Sequence, residues 1–162
     1  MLKRLTQYLD SHSTRYVVVI HSPAYTAQEI AARAHVPGRE LAKTVMAKVD
    51  GKMTMLVLPA SSMVNFTALR QDAGASRAEL ATEAEFKGLF PECEVGAMPP
   101  FGNLFDMPVL VDRTLLEDEE IAFNAGTHKE LVRLSYADFA RLVQPTVMSF
   151  GIRKKIHEEE IR

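Results

Sequence analysis

The chain has 162 residues, 47% of them hydrophobic and 25% charged, the balance of a folded domain rather than a disordered or fibrous chain. A formal charge of -2 argues against a protein that coats nucleic acid through a broad basic face, while leaving room for a small contact. The single Cys93 cannot form an intrachain bridge, and the longest apolar runs, such as Val17 to Ile20 and Leu56 to Leu58, fall far short of the ~20 residues that cross a bilayer. No run of signal-peptide length opens the sequence, so one compact domain in a reducing, cytosolic setting is expected, with no membrane contact.

Taken along the chain, Leu2, Leu5 and Leu9 fall at helical spacing and predict a short first helix. Tyr16 to Ile20 is a continuous β-branched run that suits a strand covered on both faces, and His21-Ser22-Pro23 stops it. Thr26 and Glu29 form a capping-box pattern for a second helix, which ends at Val36-Pro37-Gly38. Lys43 to Val49 and Lys52 to Leu58 flank Asp50-Gly51, the dipeptide that most readily takes the left-handed turn of a hairpin. Helical segments are expected at Ser62 to Asp72 and at Glu83 to Phe90, the latter opened by Thr82 and Glu85 and stopped by Pro91. Strands follow at Cys93 to Val95, Pro108 to Val111, Ile121 to Phe123 and Leu131 to Leu134, and then a helix capped by Ser135 and Asp138 runs through Val143 and is broken by Pro145. Strands and helices mix without regular βαβ alternation, which predicts the α+β class: a curved, mostly antiparallel or mixed sheet, or partial barrel, with helices packed around it. Residues 1–145 form the expected domain. Residues 146–162 form a charged tail or helix in which Ile152 and Ile156 share a face.

Chemistry is expected in three places. Gly96-Ala97-Met98-Pro99-Pro100-Phe101-Gly102-Asn103 is a stiff loop that shows its backbone, and it reads either as a cradle of amides for a carbonyl or as a tight strand connection. Lys43 stands in an otherwise apolar strand, as a phosphate contact, a desolvated base or an edge-strand charge that discourages pairing. Asn124-Ala125-Gly126-Thr127-His128 is a polar loop whose histidine is a ligand contact or an exposed turn residue. The five histidines show no metal-ligand spacing, and neither a GxxxxGK loop nor a dinucleotide fingerprint is present. Cys93 has no activating motif and reads as packing. The basic clusters Lys43, Lys48 and Lys52, and Arg153, Lys154 and Lys155, read as solvated surface.

Lys43, the Gly96 to Phe101 loop, the run Val109 to Asp112 and Glu120 to Gly126 together resemble the YbaK family. This family comprises aminoacyl-tRNA deacylases, including the editing domain inserted in bacterial prolyl-tRNA synthetases and its freestanding relatives. The resemblance runs from about the first strand to Gln144, and it implies trans-editing hydrolysis of the ester joining a small wrong amino acid, alanine or serine, to tRNA. By resemblance Lys43 places the terminal nucleotide, and the Gly96 amide holds the scissile carbonyl. It also puts Thr44, Ala97, Met98, Pro99, Phe101, Gly126 and His128 at the substrate, with His128 limiting the amino-acid pocket. The substrate's own ribose hydroxyl would orient water, so neither a cofactor nor a metal is implied. The expected partners are the acceptor end of aminoacyl-tRNA and an aminoacyl-tRNA synthetase. Fold alone does not fix function, and a non-catalytic module holding a small amino acid, a nucleotide end or a synthetase in the same pocket is the rival reading.

Overall fold

The computed structural model describes residues 1–24 and 27–153. Thr26, half of the expected capping box, and everything beyond Arg153, including Lys154, Lys155 and Ile156, lie outside them. Helix α1 (Lys3–Ser11) buries Leu5 and Leu9, as its leucine spacing requires. Strand β1 (Val17–Ile20) departs from expectation, because Val17 is 57% and Ile20 77% exposed. It lies at the edge of a three-stranded sheet, and a β-branched run fits an edge strand as well as a buried one. Helix α2 (Ala27–Ala34) leads into β2 (Ala42–Val49) and β3 (Lys52–Pro59). These two strands pair antiparallel over their whole length, from Ala42 opposite Pro59 to Val49 opposite Lys52. Asp50 at φ 50° and Gly51 at φ 79° make the turn the dipeptide predicts.

The helix expected from Ser62 to Asp72 divides in two. Ser62–Val64 is strand β4, and helix α3 (Phe66–Ala73) begins only where the Asn65 side chain accepts the Ala68 N–H at 3.1 Å. Strand β5 (Ala78–Leu80) pairs with the far end of β2. Helix α4 (Glu83–Phe86) carries the expected Thr82–Glu85 capping box, then tightens into a 3-10 turn over Lys87–Leu89. Cys93 to Val95, expected as a strand, is a series of turns, tied to the body by the Glu94 N–H donating to the Gly126 carbonyl at 2.9 Å. Strands β6 (Val109–Asp112), β7 (Glu120–Asn124) and β8 (Glu130–Ser135) stand where expected, followed by α5 (Tyr136–Val143) on its Ser135 cap.

Between Pro145 and Arg153, the described part of the expected tail, the chain forms two short strands. Thr146–Met148 is β9, parallel to β6, and Gly151–Arg153 is β10, antiparallel to β4. The described strands form three sheets, ordered β1-β8-β7, β10-β4 and β5-β2-β3-β6-β9, the last with parallel pairs at β3/β6 and β6/β9. The fold is a single α+β domain with mixed sheets that do not close into a barrel. A lone parallel bridge, Leu41 to Ala122, joins the start of β2 to β7, and the Ala122 N–H donates to the Glu40 carbonyl at 2.9 Å beside it.

Phe101 sits at the centre of the main core, fully buried, with Phe123 and Phe139 at ring-centroid distances of 5.5 and 5.8 Å and Tyr8 at 6.1 Å. Burying such a side chain contributes about 1.5–3 kcal/mol, so the loop ahead of it is fixed from below.

Candidate active site

Strand β2 carries Lys43 and Thr44 to the wall of a cavity of about 180 Å³. Lys43 is half-buried opposite Leu58 of β3, in the stretch of β2 that β5 does not reach. Gly96 forms another side of the cavity, Ile30 of α2 and Leu41 supply apolar walls, and Asn124 closes it at the end of β7. Two separately predicted features, the lysine strand and the glycine-proline loop, thus meet at one site.

The loop is stitched in place by backbone contacts. Gly96 has φ 87°, a conformation L side chains rarely adopt. Its N–H points to Met98 Sδ at 3.2 Å, and since a thioether is a weak acceptor, a carbonyl that reached this amide would displace it readily. The Ala97 N–H donates to the Glu94 carbonyl at 3.0 Å, and the Gly126 N–H donates to the Ala97 carbonyl at 2.9 Å. Ala97, Met98, Pro99 and Phe101, which continue the loop, are all buried, and none of them lines this cavity. Gly126 packs against Leu2 rather than facing the cavity; a Cβ there would lie 3.0 Å from Leu2 Cβ.

His128 stands beside Gly96: a Cβ added to the glycine would lie 3.5 Å from His128 Cε1. Its Nε2 contacts the Val95 carbonyl at 2.8 Å, and because a carbonyl only accepts, Nε2 carries the proton. The His128 backbone N–H donates to Glu94 Oε1 at 2.8 Å, which fixes the two loops to each other. Sequence reasoning named the loop that opens with Asn124 but not Asn124 as a site residue, and it missed Ile30. The only signal for Asn124 was its place two residues beyond Ala122 in a strand whose neighbour could not be read.

Among the described residues, no three His, Cys, Asp or Glu side chains are grouped so as to hold a metal ion. Burial pushes the Cys93 thiol up to about 11, in keeping with a packing role. A larger cleft of about 490 Å³ lies elsewhere, between Arg39, Ser61, Thr114, Asp118 and Arg153, and contains none of the predicted site residues. Burial first, and then the Glu40 charge, raise the Asp118 carboxyl there.

Residues 21–142 match the aminoacyl-tRNA editing domain model. The chain belongs to that family. It is 30% identical over 153 residues to the multifunctional Ser/Thr-tRNA deacylase ProXp-y of Escherichia coli (strain K12), covering 91% of each chain. It is also 30% identical over 88 residues to the proline--tRNA ligase of Bacillus mycoides (strain KBAB4), covering 54% of this chain and 15% of the ligase. Among solved structures, a hypothetical protein superposes with a TM-score of 0.82 at 21% identity, covering 93% of this chain and 100% of the other. A candidate trans-editing enzyme for prolyl tRNA synthetase superposes at 0.77 and 19% identity, covering 93% and 96%. At these identities the structural matches establish the editing-domain fold alone. No helix among the described residues is long and apolar enough to cross a membrane.

Proposed function

We propose that the protein removes a small noncognate amino acid, serine or alanine, from misacylated tRNA in trans, acting in the cytoplasm on the acceptor end. Its class of activity is that of an aminoacyl-tRNA deacylase, a hydrolase of ester bonds. The observation that carries the finer reading is the convergence of Lys43, Thr44 and Gly96 on one small cavity. The named activity of the Escherichia coli relative favours serine.

In this reading the Lys43 ammonium acts as a point charge on the phosphate of the terminal nucleotide and fixes the ester over the loop. The Gly96 N–H leaves the Met98 sulfur for the scissile carbonyl, where it stabilises the charge that develops on oxygen. Water, oriented by the substrate's ribose hydroxyl, adds to the carbonyl carbon. The ester C–O bond breaks, and the free amino acid and a tRNA ending in a ribose hydroxyl depart. The logic is that of a second sieve, because a synthetase pocket separates amino acids differing by a methylene by only ~1–3 kcal/mol. A cavity of about 180 Å³ with apolar walls from Ile30, Leu41 and Ala42 is in keeping with a small side chain.

The test is deacylation of Ala, Ser, Cys and Thr attached to noncognate tRNAs, by the wild type and by Lys43→Ala. Multiple turnover of one or two esters, lost in the variant with its fold intact, supports the reading. Full activity in Lys43→Ala removes the lysine from the mechanism, and protection without turnover points to a binding module.

A further inference from the structure

The Oδ1 atom of Asn124 is buried without a hydrogen-bond partner, although Asn124 lines the same cavity as Lys43 and Gly96. Buried carbonyl oxygens are ordinarily paired, and one left unpaired beside a ligand cavity has the form of an acceptor kept for the ligand. Rotation about the Asn χ2 torsion, which has no sharp minima, turns this oxygen toward the cavity. The strand arrangement defines its neighbourhood. Leu41 and Ala122 bridge in parallel, so Lys43 and Asn124, each two residues further along its strand, fall at matching positions on the cavity wall.

We infer that Asn124 is a specificity-determining residue that accepts a hydrogen bond from the side-chain hydroxyl of a seryl or threonyl ester. The inference rests on the deacylase reading above and adds to it a discrimination between serine and alanine. The donors on an aminoacyl-adenosine end are the α-ammonium, the ribose hydroxyl, the adenine amino group and, in serine or threonine, the side-chain hydroxyl; in the reading above the ribose hydroxyl is engaged with the attacking water, and the adenine belongs to the nucleotide that Lys43 positions. An ammonium lodged beside Asn124 would lie close to the Lys43 cation in a partly desolvated cavity, where like charges repel. A hydroxyl meets no such penalty. The apolar walls Ile30, Leu41 and Ala42 accommodate the Cβ of serine or the methyl of threonine, and alanine fits the same walls but leaves Asn124 unpaired. A site built to bond a hydroxyl discriminates against the analogue lacking it, whereas an apolar pocket does not strongly reject an added hydroxyl.

The experiment compares kcat/KM for seryl and alanyl esters on one tRNA, using the wild type, Asn124→Ala and Asn124→Asp. Alongside it, binding of the non-hydrolysable amides of seryl- and alanyl-3′-aminoadenosine is measured on each protein. Loss of one buried hydrogen bond should cost Asn124→Ala about 10- to 100-fold on the seryl ester and on binding of the seryl amide, with the alanyl values nearly unchanged. Asn124→Asp keeps an acceptor of the same shape and should retain the serine preference. Equal losses on both esters, or an unchanged seryl-to-alanyl ratio in a folded Asn124→Ala, overturn the assignment. If the wild type hydrolyses neither ester yet binds the seryl amide more tightly by way of Asn124, the deacylase reading fails while the hydroxyl recognition stands; absence of any seryl preference in binding overturns the recognition too.

Discussion

The carboxylate of Asp112 holds the backbone of Gly151 across 39 residues of sequence: Oδ1 accepts the Gly151 N–H at 2.7 Å and the Phe150 N–H at 2.9 Å. Its other oxygen, Oδ2, accepts the Thr114 hydroxyl and, at 3.3 Å, the Thr114 N–H. One side chain, only 2% exposed, thus ties the end of β6 and the turn after it to the last described strand. Asp112→Ala removes a charged acceptor from several donors at once and should cost about 3 kcal/mol, lowering the melting temperature by about 10 °C. Gly151→Ala should also destabilise, because its Cβ would lie 2.8 Å from Asp112 Oδ2. Thermal and urea unfolding measure both, and hydrogen exchange should accelerate first at Phe150 and Gly151 if β10 is released before the rest.

Gly96 and His128 should act together. Gly96→Ala forces an L residue to φ 87°, at a stability cost of about 1–2 kcal/mol, while shifting the amide assigned to the ester carbonyl. Misplacement of a reacting group by about 1 Å costs roughly 100-fold in rate, so activity should fall much further than stability. His128→Ala releases the Val95 carbonyl and should cost less. Because the two residues are neighbours, the double variant should lose less than the product of the single losses. Single-turnover deacylation and melting curves on all three proteins check this. Strictly multiplicative losses would separate His128 from the Gly96 turn.

What could be read from the sequence was local. The Asp50-Gly51 hairpin, the Thr82–Glu85 box and the Ser135 cap each depend on residues within a few positions of one another, and each is present. The errors fall where pairing is decided far away. Ser62–Val64 and Gly151–Arg153 are strands because they meet each other, and neither segment carries that information alone. Cys93 to Val95 has a short apolar alternation, but its neighbours offer it turn contacts instead of a ladder. Val17 to Ile20 has the composition of a strand but no mark of which face meets solvent. At the site, Lys43 and the Gly96 loop stood out by being unusual in their own segments. Asn124 did not, because its place depends on the single bridge between Leu41 and Ala122.

Cys93 should be slow to react. Its thiol is packed against the core and pushed up to about 11 by burial, so near pH 8 almost none of it is the nucleophilic thiolate. Aromatic disulfide reagents should modify it far more slowly in the native protein than in urea, and Cys93→Ala should retain deacylation. Rapid native labelling, or loss of turnover in a folded Cys93→Ala, would show that the sulfur is exposed or functional.

The Lys48–Glu85 pair gives a pH dependence of definite sign. A hydrogen bond from Lys48, and then the Thr82 N–H of the capping box, hold the Glu85 carboxyl down to about 2, against an ordinary value of 4.5. A depressed folded value contributes stability that is present above about pH 4.5 and lost as the pH falls toward 2. Lys48 is shifted in the opposite sense, raised above its ordinary 10.5 by the same hydrogen bond, so its share persists below that pH and fades only in strong alkali. Both groups face solvent, and salt should weaken the pair further. The wild type should therefore exceed Lys48→Met in stability by a small margin that is flat between about pH 5 and 9, shrinks below about 4.5 and shrinks again in 1 M salt. Urea unfolding across that range tests it. A margin that stayed unchanged from about pH 6 down to about pH 2 would mean that Glu85 gains nothing from Lys48, and that the capping box with Thr82 alone lowers its pKa.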